Sequence, residues 1–218
     1  MRKKKLRLAV LLSGTGRTLK NFIEQIESGK LSAEIPVVIS SEANASGLQY
    51  AEEEGSMDIE IVERSRYNTL HDFSEANFEI CRRNRVDYVV LAGYLKYLDI
   101  PKDFENRVLN IHPSLIPSFS GQGFYGNIVH TKVLEAGVKI SGCTVHFVDQ
   151  EYDKGPIILQ KAVEVKDNDT PDSLNARVFE AECVAYPEAI ELLAEGRVSV
   201  HGRIVKIESK EWDGKDDF

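Results

Sequence analysis

Val86-Asp87-Tyr88-Val89-Val90-Leu91-Ala92 is an almost continuous apolar run of β-forming residues. A strand with one wet face alternates polar and apolar side chains. One without alternation is covered on both faces, as parallel strands in α/β proteins are. The run follows a long amphipathic helical pattern at Thr69–Asn84 and precedes a second strand-like stretch at Val108–His112. Toward the N-terminus, strand patterns at Leu6–Leu12, Glu34–Ser40 and Ile59–Val62 alternate with helical ones at Thr18–Glu27 and Ala45–Glu54. Such alternation predicts right-handed βαβ crossovers and an α/β fold with a Rossmann-like, doubly wound, mostly parallel sheet.

After His112 the pattern changes. Ile116–Gly126 reads as a loop rich in Pro, Ser and Gly, and Asn127–Ala136 as a helix stopped by Gly137. Lys139–Val148 and Ile157–Val165 read as strands joined by an acidic turn, which adds an antiparallel C-terminal pair. Thr170-Pro171-Asp172 starts a helix, with a Thr cap, Pro at the first position and an acid in the first turn. That helix is expected to reach about Glu195, with Pro187 kinking or breaking it. A short strand near Val198–Ile207 and a charged tail close the chain. No repeat or linker interrupts it, so residues 1–218 read as one domain, with a core at about 6–207 and a tail at 208–218.

The chain has 218 residues, 42% of them hydrophobic and 28% charged, an ordinary globular composition. A formal net charge of -8 argues against a general nucleic-acid partner. Cys81, Cys143 and Cys183 are scattered and odd in number, which reads as reduced thiols in a cytoplasmic protein. The basic start, Met1-Arg2-Lys3-Lys4-Lys5, is followed by an apolar run too short for a signal core. No stretch approaches the ~20 apolar residues needed to cross a bilayer. No His, Cys or carboxylate set has metal-ligand spacing, so no metal is expected.

Asn110-Ile111-His112-Pro113-Ser114-Leu115 ends a strand, and Asn110 and His112, two apart, leave it on one face. Ligands of open α/β sheets collect at such strand ends. Asp149-Gln150-Glu151-Tyr152-Asp153-Lys154-Gly155-Pro156 offers a turn carboxylate, Asp153, that could reach the imidazole. An amide donor, a histidine and an acid suit a carbonyl oxygen that turns negative while an amine loses its proton. Read singly, His112 is equally a hydrogen-bonded core histidine, and Asp153 a carboxylate capping its own turn. Ser13-Gly14-Thr15-Gly16-Arg17-Thr18, between the first strand and first helix, is either a phosphate cradle or a tight turn. It is not a dinucleotide fingerprint, because Leu19 replaces the third glycine, although Glu42 stands where an acid could bind a ribose. His146 lies within a strand, facing the site or the core. His130, at helical spacing with Val133 and Leu134, reads as structural.

Taken together, Leu11–Gly16, Leu91–Leu95, Asn110–Leu115, Gly123–Gly126 with Val129-His130, Ser141–Asp149, Asp153 with Gly155-Pro156, and Glu182 with Tyr186-Pro187 resemble the glycinamide ribonucleotide formyltransferases, folate-dependent enzymes of purine synthesis. The resemblance runs in order from residue 8 to about 200. It implies the formyltransferase fold and transfer of the formyl group of 10-formyltetrahydrofolate to the amine of glycinamide ribonucleotide. It further implies His112, Asn110 and Asp153 as the catalytic triplet, with Asp153 favouring the imidazolium form of His112. Gly16, Arg17 and Thr18 are then expected to hold the substrate phosphate and Glu182 the glycinamide part. Leu95, Lys96, Tyr97 and Leu98, with Asn110 and the loop Asp149, Gln150, Glu151, Tyr152 and Asp153, are expected to enclose the folate. His146, and Leu70 with Arg64 and Arg66 upstream of it, are further candidates. The expected partners are small molecules only, on a monomer or homodimer. A 10-formyltetrahydrofolate deformylase-like hydrolase and a non-catalytic nucleotide or folate sensor on the same fold are the competing readings.

Overall fold

The computed structural model describes residues 4–209; residues 1–3 and residues 210–218 of the charged tail lie outside the described residues. Five parallel strands, β1 (Leu6–Leu12), β2 (Ala33–Ser40), β3 (Asp58–Ile61), β4 (Tyr88–Leu91) and β5 (Val108–His112), lie in the order β3-β2-β1-β4-β5. Their crossovers carry α1 (Arg17–Glu27), α2 (Leu48–Glu54) and α3 (Leu70–Arg83). The lack of polar alternation in the strands has a direct cause. Leu8, Val10 and Leu12 of β1 pack into one buried cluster with Leu19 and Phe22 of α1, while Ala9 and Leu11 pack into another with Phe73, Phe78 and Cys81 of α3. Both faces of β1 are dry, and hydrophobic burial on each supplies the main driving force.

The chain order reverses between β1 and β4, which opens a crevice at the carboxyl ends of these strands. Three short contacts set the crevice walls. Ser13 N–H donates to the Gly93 carbonyl at 3.2 Å, Leu95 N–H donates to Ser13 Oγ at 2.9 Å, and Ser13 Oγ meets Ser41 Oγ at 2.7 Å. One serine thus ties the ends of β1, β2 and β4 together.

Beyond β5 the sheet continues through β6 (Ile140–Phe147), antiparallel to both β5 and β7 (Ile157–Glu164), as the two strand patterns imply. The expected single strand at Val198–Ile207 is instead a hairpin, β8 (Val198–His201) and β9 (Ile204–Ile207). Gly202, at φ +61°, makes the turn, and β9 adds to β7 in parallel. The helix α4 (Asn127–Glu135) ends before Gly137, which is left-handed at φ +67°. The start of α5 (Pro171–Ala194) has Thr170 and Ser173 capping one another reciprocally, at 3.2 and 2.9 Å.

Pro187 lies inside α5, so of the expected kink or break, the break does not occur. A proline in a helix leaves the carbonyl four residues earlier without its donor. Here that carbonyl is Cys183 O, and the buried Asn21 of α1 donates to it through Nδ2 at 3.0 Å. The Tyr186 ring beside it meets Phe22 edge-on, with centroids 5.2 Å apart. Replacement of Asn21 with Leu should therefore cost about 1–3 kcal/mol by stranding a buried carbonyl. Urea unfolding at equilibrium measures this directly, and an unchanged midpoint would show that Asn21 does not support the proline turn.

Candidate active site

β5 delivers Asn110 and His112 to the crevice, and β6 brings His146 opposite Asn110 in the antiparallel register. His112 is 3% exposed and His146 1%. The acidic turn carries Asp153 in a left-handed conformation, φ +56°, next to Gly155. A Cβ on Gly155 would lie 1.8 Å from Phe147 O, so only glycine lets the turn fold this tightly against β6. Asp153 Oδ2 stands 3.5 Å from His112 Nδ1 and accepts the Gly121 N–H at 2.8 Å, while Oδ1 stands 3.7 Å from His146 Nε2. One carboxylate therefore faces two imidazoles and a loop amide.

His146 sets the orientation of Asn110. Its Nδ1–H donates to the Phe147 carbonyl at 2.8 Å, and burial lowers its pKa, so the ring is neutral with its Nε2 lone pair free. Asn110 Nδ2 lies 3.3 Å from that Nε2 and donates to it. The amide nitrogen is thereby fixed toward the imidazoles, and its second N–H remains for the cavity that Asn110 lines.

His112 Nε2 is 2.9 Å from the carbonyl of Phe119, whose backbone is left-handed at φ +49°. This loop contact was not legible from residue types. It is secured from below by a chain of hydroxyls. Ser114 Oγ donates to Ser118 O at 2.6 Å. Thr144 Oγ1 donates to Ser114 O at 2.7 Å and accepts Ile116 N–H at 3.1 Å and Gln160 Nε2 at 2.9 Å. The loop after β5 is stapled to β6 and β7.

These groups open on a cavity of about 410 Å³. Its other end is the loop after β1, where Gly16, at φ +67°, precedes α1 without any side-chain cap. Uncapped N–H groups at a helix start suit an anion. A Cβ on Gly16 would lie 2.5 Å from Gly47 Cα, and Gly47 N–H donates to Gly14 O at 2.9 Å. Arg17 and Thr18 border this end, as does Glu182 from α5. Burial pushes the Glu182 carboxyl up to about 7, against the opposing pull of the Arg17 cation.

The cavity also brings together Leu95, Lys96, Tyr97, Leu98, Asp149, Glu151, Tyr152 and Asp153. The Tyr97 and Tyr152 rings lie 5.1 Å apart, and Tyr97 Oη donates to Gln150 O at 2.5 Å. Gln150 does not line the cavity; its side chain donates to Ile100 O at 3.1 Å. Leu70 likewise stays outside, packed at the start of α3 beside the second core. Glu42, the ribose candidate of a nicotinamide site, pairs with Lys96 at 2.9 Å. His130 is buried on α4, as the structural reading expects, and also borders the cavity. It is 1% exposed, its Nδ1 has no partner, and it lines the cavity, where burial and His112 lower its pKa to about 4. Among the described residues, no group of three or more His, Cys, Asp or Glu is placed to hold a metal ion.

Comparison with known proteins agrees with this geometry. Residues 6–190 match the formyl transferase family. The chain is 42% identical to the trifunctional purine biosynthetic protein adenosine-3 of Gallus gallus over 90% of its own length, but spans 19% of that relative. It is 34% identical to the phosphoribosylglycinamide formyltransferase of Haemophilus influenzae, with 94% of each chain covered. The glycinamide ribonucleotide transformylase 1 structure from Symbiobacterium toebii superposes with a TM-score of 0.88 at 41% identity, covering 94% of this chain and 95% of that one. The chain belongs to the formyl transferase family, and within it to the phosphoribosylglycinamide formyltransferases.

Proposed function

We propose that the cavity transfers the formyl group of 10-formyltetrahydrofolate directly to the amine of glycinamide ribonucleotide, a step of purine synthesis. The observation that carries this reading is the convergence of Asn110, His112 and Asp153 at one end of a cavity whose other end is an uncapped helix start. In the proposed step the amine nitrogen attacks the formyl carbon, and a tetrahedral oxyanion forms. Asn110 donates its free amide N–H to that oxygen. His112 donates the Nε2–H that Phe119 O otherwise accepts. Such donors stabilise the transition state more than the ground state. The bond from carbon to the folate nitrogen then breaks as the amine proton passes to that nitrogen through bound water. Asp153 holds His112 and the Gly121 amide in place.

In the same proposal, the Gly16–Thr18 turn anchors the phosphate and Glu182 the glycinamide part. Leu95–Leu98 and the 149–153 loop enclose the folate. The substrates are small molecules, and the unit spans about residues 6–207. The chain works in the cytoplasm, in keeping with Cys81, Cys143 and Cys183 all being free thiols. In the described residues, no helix is long and apolar enough to cross a membrane.

A steady-state assay with 10-formyltetrahydrofolate, run with and without glycinamide ribonucleotide, tests the reading. Conversion is expected only when the amine is present. Folate conversion at the same rate without it would identify a hydrolase instead. Glu182 adds a pH prediction. With the free carboxyl titrating near 7, KM for the ribonucleotide should fall as pH rises through that value, because the anion is the better acceptor for substrate N–H and O–H groups. Glu182→Gln should flatten that dependence, and a profile unchanged by the substitution would remove Glu182 from the site.

A further inference from the structure

Arg17 is the first residue of α1, and its guanidinium sits 4.0 Å from the centroid of the Phe179 ring on α5. Among the described residues the ring is the partner its guanidinium finds; no carboxylate lies within ion-pair distance, and no carbonyl accepts its N–H groups. Its charge is nonetheless felt by Glu182, one turn along α5 from Phe179, and by Cys183. Both Arg17 and Phe179 line the cavity. A flexible, exposed arginine normally loses considerable side-chain entropy when it binds an anion. Stacking on an aromatic face removes part of that loss in advance, because it fixes the planar group while leaving its edge donors free.

We infer that Phe179 is a positioning residue for the ribonucleotide: its ring holds the Arg17 guanidinium at the N-terminus of α1, so that the phosphate meets a fixed cation as well as backbone amides. The inference rests on the proposed ribonucleotide site. It goes further by assigning a role to an aromatic side chain that touches the anion only through Arg17. Phe179 adds no hydrogen bond of its own. What it contributes is the direction in which five N–H donors point.

The experiment reads ribose 5-phosphate binding by calorimetry at fixed low ionic strength, which does not depend on turnover. Phe179→Leu, which keeps apolar bulk but removes the ring face, should weaken binding about threefold to tenfold. Phe179→Tyr should bind as the wild type does. In an Arg17→Ala background, Phe179→Leu should have no further effect, since the ring acts through the cation. KM for the folate should stay constant throughout, which separates positioning from damage to the fold. Wild-type binding by Phe179→Leu, or an undiminished effect in the Arg17→Ala background, would overturn the inference. Formyl transfer with no such coupling would reject this inference alone. Coupling without formyl transfer would reject only the proposed reaction.

Discussion

His112→Asn should lower kcat about a thousandfold or more while leaving ribonucleotide binding within a few-fold of wild type. Loss of one preorganised oxyanion donor typically costs 10²–10³-fold. The imidazole here also occupies a nearly dry position, 3% exposed, between Asp153 and Phe119 O. Asn at this position cannot carry a positive charge, the charge that best stabilises a developing alkoxide. Asp153→Asn should fall in the same range for a different reason. The amide loses the negative charge that faces both imidazoles. The proposed phosphate anchor lies at the other end of the cavity, so calorimetric binding of the ribonucleotide should persist in both variants. Turnover close to wild type in both would remove the triplet from catalysis.

Gly47→Ala should also damage the proposed ribonucleotide end, although residue 47 lies in a different loop from the proposed anchor. Gly47 has ordinary right-handed backbone angles, φ -67° and ψ -15°, so alanine there carries no conformational strain. The cost is one of contact. A Cβ would sit 2.5 Å from Gly16 Cα, 2.6 Å from Gly16 N and 3.0 Å from Gly14 O, all of them backbone atoms of the anchoring turn. Backbone cannot swing aside as a flexible side chain can, so the turn must shift. Overpacking of this kind costs about 1–3 kcal/mol of stability. A displacement of about 1 Å in a positioning element can cost a hundredfold in kcat/KM. The loss should appear in KM for the ribonucleotide, with the folate KM preserved. A crystal structure of Gly47→Ala with an undisplaced turn and unchanged kinetics would disprove the coupling.

The sheet, and the shared face of Asn110 and His112, were legible because their signals are local. Continuous apolar strands report burial on both faces, and Asn110 and His112, two apart at a strand end, share a face by geometry alone. What escaped depends on partners distant in sequence. Pro187 reads as a breaker until Asn21, in another helix, supplies the missing donor to Cys183 O. His146 gains its role from its register opposite Asn110, which strand patterns do not specify. Helical spacing placed His130 on the buried face of α4, but periodicity does not show the cavity which that face meets. Phe179 was hidden in the same way, as one aromatic among the apolar positions of a long helix. The Phe119 carbonyl is a backbone group aimed by a left-handed residue, and side-chain chemistry carries no trace of it. The Val198–Ile207 hairpin depends on Gly202, a single glycine within an otherwise strand-like run.

The proposed reaction is direct transfer between two bound substrates. Tracing a carbon-13-labelled formyl group by NMR, with equal amounts of 10-formyltetrahydrofolate and glycinamide ribonucleotide, tests it most directly. The label is expected to pass to the ribonucleotide amine one-for-one with folate consumed, with no labelled formate at any time point. Labelled formate formed at the same rate, with the ribonucleotide left unmodified, would contradict it.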